Sequence, residues 1–453
     1  MKKGLSTLVI TGLILLYGVC MYFDTMGYDP MLCTILRLIL LGIYGYITIR
    51  NKTLTGWILF SMFLGIEVGH LYPEIALHLK VVSKIFLQLI KTIIAPLIFA
   101  TLVVGIAGHS NLKQVGRMGI KSLIYFEVVT TFALFIGLAA INFSQAGRGV
   151  IRPEHLPDET LTVAKQNVEE IILHVFPENI AKSIAEGQVL QIVVFSILFA
   201  MGLALVKRAD RRKPMLEFAE SLSEVMFKFT DIVMYFAPVA VFASIAYTVS
   251  TMGLDVLSVL FRLLLTLYGA LIVFVLGIFL PIALLARIPI RQFIQAIAEP
   301  VSIAFATASS ESALPKALEN MEKFGVPAKV VGFVLPTGYS FNLDGTTLYL
   351  SLASVFVAQV AGIQMSFYEQ LVMVLTLMLT SKGVAGVARA SLVILLGTAA
   401  AFNLPIWPIY MILGIDVLMD MARTAVNVTG NCLASVVIAK WEGEFKPNPK
   451  AEY

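Results

Sequence analysis

Residues 409–440 read IYMILGIDVLMDMARTAVNVTGNCLASVVIAK, an apolar helix candidate that carries Asp416, Asp420, Arg423, Asn427 and Asn431. The intervals are 4, 3, 4 and 4 residues, so all five lie along one face of a helix. Most of the remainder is Ile, Leu, Val, Met and Ala. Two carboxylates, a guanidinium and two amides are costly to keep on a membrane-length helix. Such residues face a bundle interior and mark a substrate or ion path.

Composition sets the class around this stripe. Apolar residues make up 58% and charged residues 14%, with a mean hydropathy of +0.87. A soluble domain sits nearer a quarter charged, so the expectation is an all-α polytopic membrane protein. The net charge of +4 reads as loop bias rather than nucleic-acid affinity, because no basic cluster is interleaved with aromatics. Cys20, Cys33 and Cys432 make no metal or disulfide pattern, and the five histidines are scattered. No cofactor is expected.

Loop charges suggest the topology. Lys2 and Lys3 precede an apolar run at 7–23, and a second run at 31–49 ends at Arg50 and Lys52, giving an extra N-terminal transmembrane hairpin over 1–52 with both ends cytoplasmic. A signal peptide is the rival, but an uncleaved anchor fits better because a second span follows at once. Further runs lie at 55–72, 81–108, 119–143, 188–206, 222–250 and 254–286. The polar stretch 144–187 should be external. Basic loops at Lys113–Lys121, Lys207–Lys213 and Arg287–Arg291 all fall on one side, with Lys207–Lys213 read as a solvated cytoplasmic loop. The 446–453 tail should be cytoplasmic too, and the expected location is a bacterial-type inner membrane.

After residue 287 the simple pattern fails. The segment 296–325 is too polar at its centre to span, with Ala-Thr-Ala-Ser-Ser-Glu-Ser-Ala-Leu-Pro at 306–315. A second interruption, at 380–391, sits within a hairpin candidate at 368–402. Each is followed by a long apolar helix with polar residues inside it: 327–361, broken at Asn342-Leu343-Asp344-Gly345-Thr346, and 409–440. Non-helical backbone at membrane depth needs protein or a wet cavity around it. Paired interrupted segments in two halves point to a transporter binding site, and opposite entry sides would make the repeat inverted.

At these residues the chain resembles the dicarboxylate/amino acid:cation symporter family, the glutamate transporters. The resemblance rests on Ser309-Ser310-Glu311-Ser312, Asn342-Leu343-Asp344-Gly345-Thr346, Ser381-Lys382-Gly383-Val384-Ala385-Gly386-Val387 and the run Asp420–Asn431, in the family's order and spacing over about residues 53–445. (An archaeal homologue of this family is a standard example of inverted-topology repeats.) It implies a glutamate-transporter-like fold with two re-entrant hairpins and a homotrimer of elevator-type protomers in contact with membrane lipids. The scaffold would comprise 53–118 and 188–252, and the transport domain 119–143 and 253–445.

Residue matching implies the roles. Arg423 would bind a substrate carboxylate through its planar fork, and Asp420 the substrate ammonium. Thr424, Asn427, Thr346 and Ser310 would add neutral hydrogen bonds, and hairpin-tip backbone, including Gly386 and Val387, would hold the α-carboxylate. One sodium site would use Asp344, Asn342, Thr130 and Thr131. A second would use carbonyls near Ser381 and Val384, with Ser340 close by. A third would use carbonyls of Gly338, Asn342 and Asn427 with a carboxylate at 431, where this chain has Asn431. That departure weakens three-sodium coupling and favours protons. Leu350 stands where mammalian members carry a proton-binding glutamate, so Glu127 and Glu311 become the proton-carrier candidates, on the premise that both are desolvated.

The expected function is symport of glutamate or aspartate with Na+, H+ or both. The alternative cargo is a C4-dicarboxylate such as succinate, fumarate or malate, and an anion channel or sensor is a more distant reading. Asp416, Asp420 and Arg423 could instead be a packing salt-bridge network, and Ser309–Ser312 a plain N-cap cluster. An enzyme is not expected: no nucleophile–base pair, metal cluster or phosphate loop is present.

Overall fold

The computed structural model describes residues 12–13, 16–21, 29–107, 114–150, 176–186, 189–380 and 390–448. The expected first span and external stretch fall largely outside these residues, and the centre of the second hairpin, 381–389, falls outside altogether. All regular structure in the described residues is helical. The helices are α1 Pro30–Asn51, α2 Leu54–Leu71, α3 Pro73–His78, α4 Lys80–Ala107, α5 Gln114–Ser144, α6 Ile180–Glu186, α7 Val189–Leu205, α8 Ala209–Tyr235 and α9 Ala237–Met252. Then follow α10 Asp255–Phe274, a π-helical turn Val275–Phe279, α11 Leu280–Leu285, α12 Ile290–Thr307, α13 Ser310–Phe324, α14 Ala328–Phe341, α15 Asp344–Val360, α16 Phe367–Thr380, α17 Ala390–Ala401 and α18 Trp407–Trp441. Six helical stretches among the described residues are long and apolar enough to cross a membrane. The chain is an integral membrane protein.

Packing divides the chain into two compact units. The first takes in Met1–Lys84 and Tyr235–Leu254. The α1 helix starts sharply because Asp29 accepts from the Met31 and Leu32 amides and Pro30 needs no partner at the first turn. Helix α2 packs on α9 through Gly65 and Gly69. A Cβ at Gly65 would lie 2.7 Å from the Phe242 carbonyl oxygen, and one at Gly69 2.5 Å from that of Ala246. Small residues four apart let two membrane helices approach backbone to backbone. On another side of α2, Glu67 accepts from Arg37 Nε of α1 at 2.8 Å and from the Tyr17 hydroxyl at 2.5 Å, all three buried.

The second unit comprises Ile85–Met234 and Asp255–Tyr453. Its core is α15, of which every residue but Gln359 is buried. The α14–α15 stretch is 94% buried over its most apolar window, against 33% for Asp255–Leu285, so the broken helix lies inside and α10 on the periphery. Gly137 of α5 lets that helix close on α15, since a Cβ there would lie 2.2 Å from the Leu348 carbonyl oxygen. Helices α12 and α13 form a hairpin. Asn320 Nδ2 donates to the Ala296 carbonyl at 2.9 Å, and Lys316 pairs with Glu299 at 3.2 Å.

One local expectation is corrected. The basic run Lys207–Lys213 is not all loop, because α8 begins at Ala209. Asp210 supplies the negative charge favoured in a first helical turn, and it pairs with Arg208 at 2.8 Å.

Candidate functional site

Helix α18 runs unbroken for 35 residues and carries the whole polar stripe inward. Asp416, Arg423 and Asn431 are fully buried, and Asn427 and Asp420 nearly so. One guanidinium nitrogen, Nη2 of Arg423, donates to Asp420 at 2.8 Å and to Asp416 at 3.2 Å. The guanidinium carbon stacks 3.9 Å from the centre of the Tyr349 ring of α15. A desolvated cation over an aromatic face gains about 2 kcal/mol or more, so the plane of Arg423 is set by Tyr349 and its direction by the two carboxylates. Its Nε and Nη1 are buried with no hydrogen-bond partner among the described residues.

The break between α14 and α15 is built against the same helix. Asn342 and Leu343 leave helical geometry, and α15 restarts at Asp344 with orphan amides at its head. Asn427 satisfies them: its Oδ1 accepts from Gly345 N at 2.8 Å and Thr346 N at 3.3 Å, and its Nδ2 donates to Thr346 Oγ1 at 3.0 Å. It is an N-cap supplied by a different helix. Such a cap contributes about 0.5–2 kcal/mol. Gly345 permits the approach, because a Cβ there would lie 2.5 Å from the Arg423 carbonyl oxygen.

One turn further along α18, Asn342 Nδ2 donates to Asn431 Oδ1 at 3.1 Å. Asn342 Oδ1 and Asn431 Nδ2 are buried without a partner among the described residues. Gly338 lies against Asn431, where a Cβ would be 2.1 Å from its Oδ1, and Gly430 lies against Asp344, where a Cβ would be 2.2 Å from its Oδ2. The break therefore gathers Asn342, Asp344, Gly338, Asn427 and Asn431 in one place, with amide, carboxylate and backbone oxygens at hand. Among the described residues no three His, Cys, Asp or Glu side chains converge to hold a metal ion.

The contacts form two groups between α15 and α18, Arg423 with Asp416, Asp420 and Tyr349, and Asn427 with Thr346, with Thr424 buried on the same helix as Arg423. Ser310, also buried, opens α13 behind Ser309, which caps the helix by accepting from Ser312 N at 3.3 Å. Helix α13 packs against α18. Thr130 and Thr131 of α5 turn their hydroxyls onto carbonyls of their own helix, at 2.7 Å to Phe126 and 2.6 Å to Glu127. Glu127 lies on the exposed side of α5. Ser381, Val384, Gly386 and Val387 lie outside the described residues, as do the side chains of Ser340 and Glu311.

The residue that motif reading misses is Tyr349. Its signal is present in the sequence: it lies three residues after Thr346, hence on the same face of α15. Among the described residues, the buried carboxylates of this region are Asp344, Asp416 and Asp420, two of which bind the Arg423 guanidinium. Buried carboxylates persist only where they are paired or hydrogen-bonded, and cations, protons or a substrate ammonium are all suitable partners.

Comparison with known proteins agrees with this chemistry. The sodium:dicarboxylate symporter family profile matches residues 54–441. The proton/sodium-glutamate symport protein of Bacillus caldotenax is 40% identical over 414 residues, covering 89% of this chain and 98% of the relative. The proton/glutamate-aspartate symporter of Escherichia coli K12 is 43% identical over 405 residues, covering 86% and 92%. The C4-dicarboxylate transport protein 2 of Pseudomonas aeruginosa PAO1 is 41% identical over 401 residues, covering 86% and 91%. With that match across most of its length, the chain belongs to the sodium:dicarboxylate symporter family.

Proposed function

We propose that this symporter carries acidic amino acids, aspartate or glutamate, inward across the bacterial plasma membrane with Na+, H+ or both. The observation that carries the proposal is the setting of Arg423. It is clamped through Nη2 and stacked on Tyr349, which leaves Nε and Nη1 for a substrate carboxylate. Asp420, slightly more accessible than Asp416, would take the ammonium. Thr424, Asn427, Thr346, Ser310 and the backbone at Gly386 and Val387 complete the substrate set.

The buried carboxylate and amide oxygens around the α14–α15 break support cation coupling. Asp344 with Asn342, Thr130 and Thr131 would hold one cation, and the backbone near Ser381 and Val384, with Ser340, a second. The third position, at Gly338, Asn342, Asn427 and Asn431, supplies neutral amides only, and two of its amide oxygens already accept hydrogen bonds. That supports a smaller sodium requirement and a share for protons. The homotrimer, the elevator motion of 119–143 and 253–445 against the scaffold, the re-entrant depth of both hairpins and their inverted relation belong to the same proposal.

A second reading keeps the fold and takes a C4-dicarboxylate. Asp420 already has a partner in Arg423 at 2.8 Å, so a diacid without an ammonium would not strand its charge. Uptake of labelled aspartate, glutamate and succinate into proteoliposomes, with sodium and proton gradients imposed separately, decides between them. No uptake of any under any gradient would end both. Asp420→Asn should abolish amino-acid uptake in the first case and be tolerated in the second.

A further inference from the structure

The family match stops at Trp441, yet residues 442–448 beyond it are tightly organised. Two residues past the end of α18, Gly443 turns the chain with a φ of +72°. The Gly443 amide donates to the Lys440 carbonyl at 3.0 Å and the Glu444 amide to that of Ala439 at 2.9 Å, a glycine-terminated helix end. The chain then runs along the base of the α12–α13 hairpin. The Lys446 amide donates to the Gly325 carbonyl at 3.1 Å and the Asn448 amide to that of Phe324 at 3.2 Å. Phe445 packs on Phe324 with ring centres 5.4 Å apart, and Glu444 pairs with Lys329 at the head of α14 at 2.7 Å. At the root of the segment, Lys121 of α5 reaches Glu442 at 2.6 Å and the Trp441 carbonyl at 2.8 Å.

We propose that residues 442–448 are a strap that positions the first hairpin for substrate binding. The strap grips α13 at its last residue, Phe324, and at the Gly325 that follows. Ser310 is the first residue of that helix. A 15-residue helix is a rod of roughly 22 Å, and although Pro315 removes one of its backbone hydrogen bonds, Asn320 and Lys316 tie it to α12 along its length. Fixing one end of such a rod fixes the other, so the strap sets where Ser310 stands relative to α18. Gly325 is the fitted joint. It has φ of +108°, and a Cβ there would lie 1.8 Å from the Lys446 carbonyl oxygen. The strap residues are positioning residues; none touches substrate.

The uptake readout rests on the acidic-substrate reading, whereas hydrogen exchange does not, so failure of one is distinguishable from failure of the other. Three variants in the full-length background are compared: termination after Trp441, Gly325→Ala, and the milder Phe445→Ala. We expect each to speed amide exchange across 310–324 at least tenfold, with exchange in α1 and α2 unchanged. KM for the transported acid should rise several-fold while maximal uptake per folded protein stays within twofold. Unchanged exchange in 310–324 after termination at Trp441 overturns the proposal. Should that variant not fold, unchanged exchange in both Phe445→Ala and Gly325→Ala overturns it equally.

Discussion

Arg423 of α18 and Tyr349 of α15 are stacked, with the guanidinium carbon 3.9 Å from the ring centre. The contact joins the two helices that bear the polar residues of the site. Because Asp416 and Asp420 both bind the same nitrogen, they leave rotation of the guanidinium about that nitrogen to be restrained by the ring. Tyr349→Leu should raise KM for the substrate about tenfold, equivalent to about 1.4 kcal/mol of the stacking energy. Tyr349→Phe, which keeps the ring, should stay within about threefold. Equal kinetics for the Tyr349→Leu variant and the parent protein would show that the ring merely fills space.

Asn431 tests the coupling ion. Its Oδ1 accepts from Asn342, a role a carboxylate oxygen fills equally well. Asn431→Asp therefore adds a negative charge without removing the hydrogen bond. The added charge should lower the sodium concentration for half-maximal uptake and weaken the dependence on a proton gradient. Uptake titrated with sodium at fixed pH measures this, and an unchanged sodium dependence would mean that position 431 does not sense the cation.

Much of this architecture is legible in the sequence, for identifiable reasons. Runs of apolar residues bounded by charge locate most of the helices because membrane burial leaves little freedom. The α14–α15 break is announced by Asn342 and Asp344-Gly345, and the stripe of α18 by its helical spacing. What stays hidden is set by contacts between distant segments. That Asn427 serves α15 as a cap, 82 residues away in sequence, cannot be read from spacing. Nor can the stacking of Tyr349, or the exposure of Glu127, whose surroundings depend on which side of α5 meets α15. Helix α8 begins earlier than the charge pattern suggests because Asp210 stabilises a first turn inside a basic run.

Backbone contact between α2 and α9 makes its glycines intolerant of size. A side chain at Gly69 meets the Ala246 carbonyl oxygen and the Val249 Cβ within 3 Å, and both belong to a packed helix that cannot yield locally. Overpacking of this kind destabilises by about 1–3 kcal/mol or more. Gly69→Val should lower the midpoint of thermal unfolding in detergent by several degrees, whereas Gly202→Val, at a position with open space, should leave it within about a degree. Equal midpoints for the two variants would remove the close approach as a source of stability.

The last prediction concerns the residues ahead of the family match, which supply Arg37 and Tyr17 to Glu67, a residue inside it. Arg37 and Glu67 are both essentially without solvent. Removing one member of such a pair strands the other charge and is destabilising by about 3–5 kcal/mol, whereas replacing both with apolar residues of similar volume is close to neutral. Arg37→Met and Glu67→Met should each lower the folded fraction sharply, and the double variant should recover most of the loss. A chain beginning at residue 53 should behave like Arg37→Met, because Glu67 then loses both of these donors, and Glu67→Met should rescue it. The cycle is read from thermal unfolding and monodispersity in detergent. Single effects that simply add in the double variant would show that the pair does not hold α1 to α2.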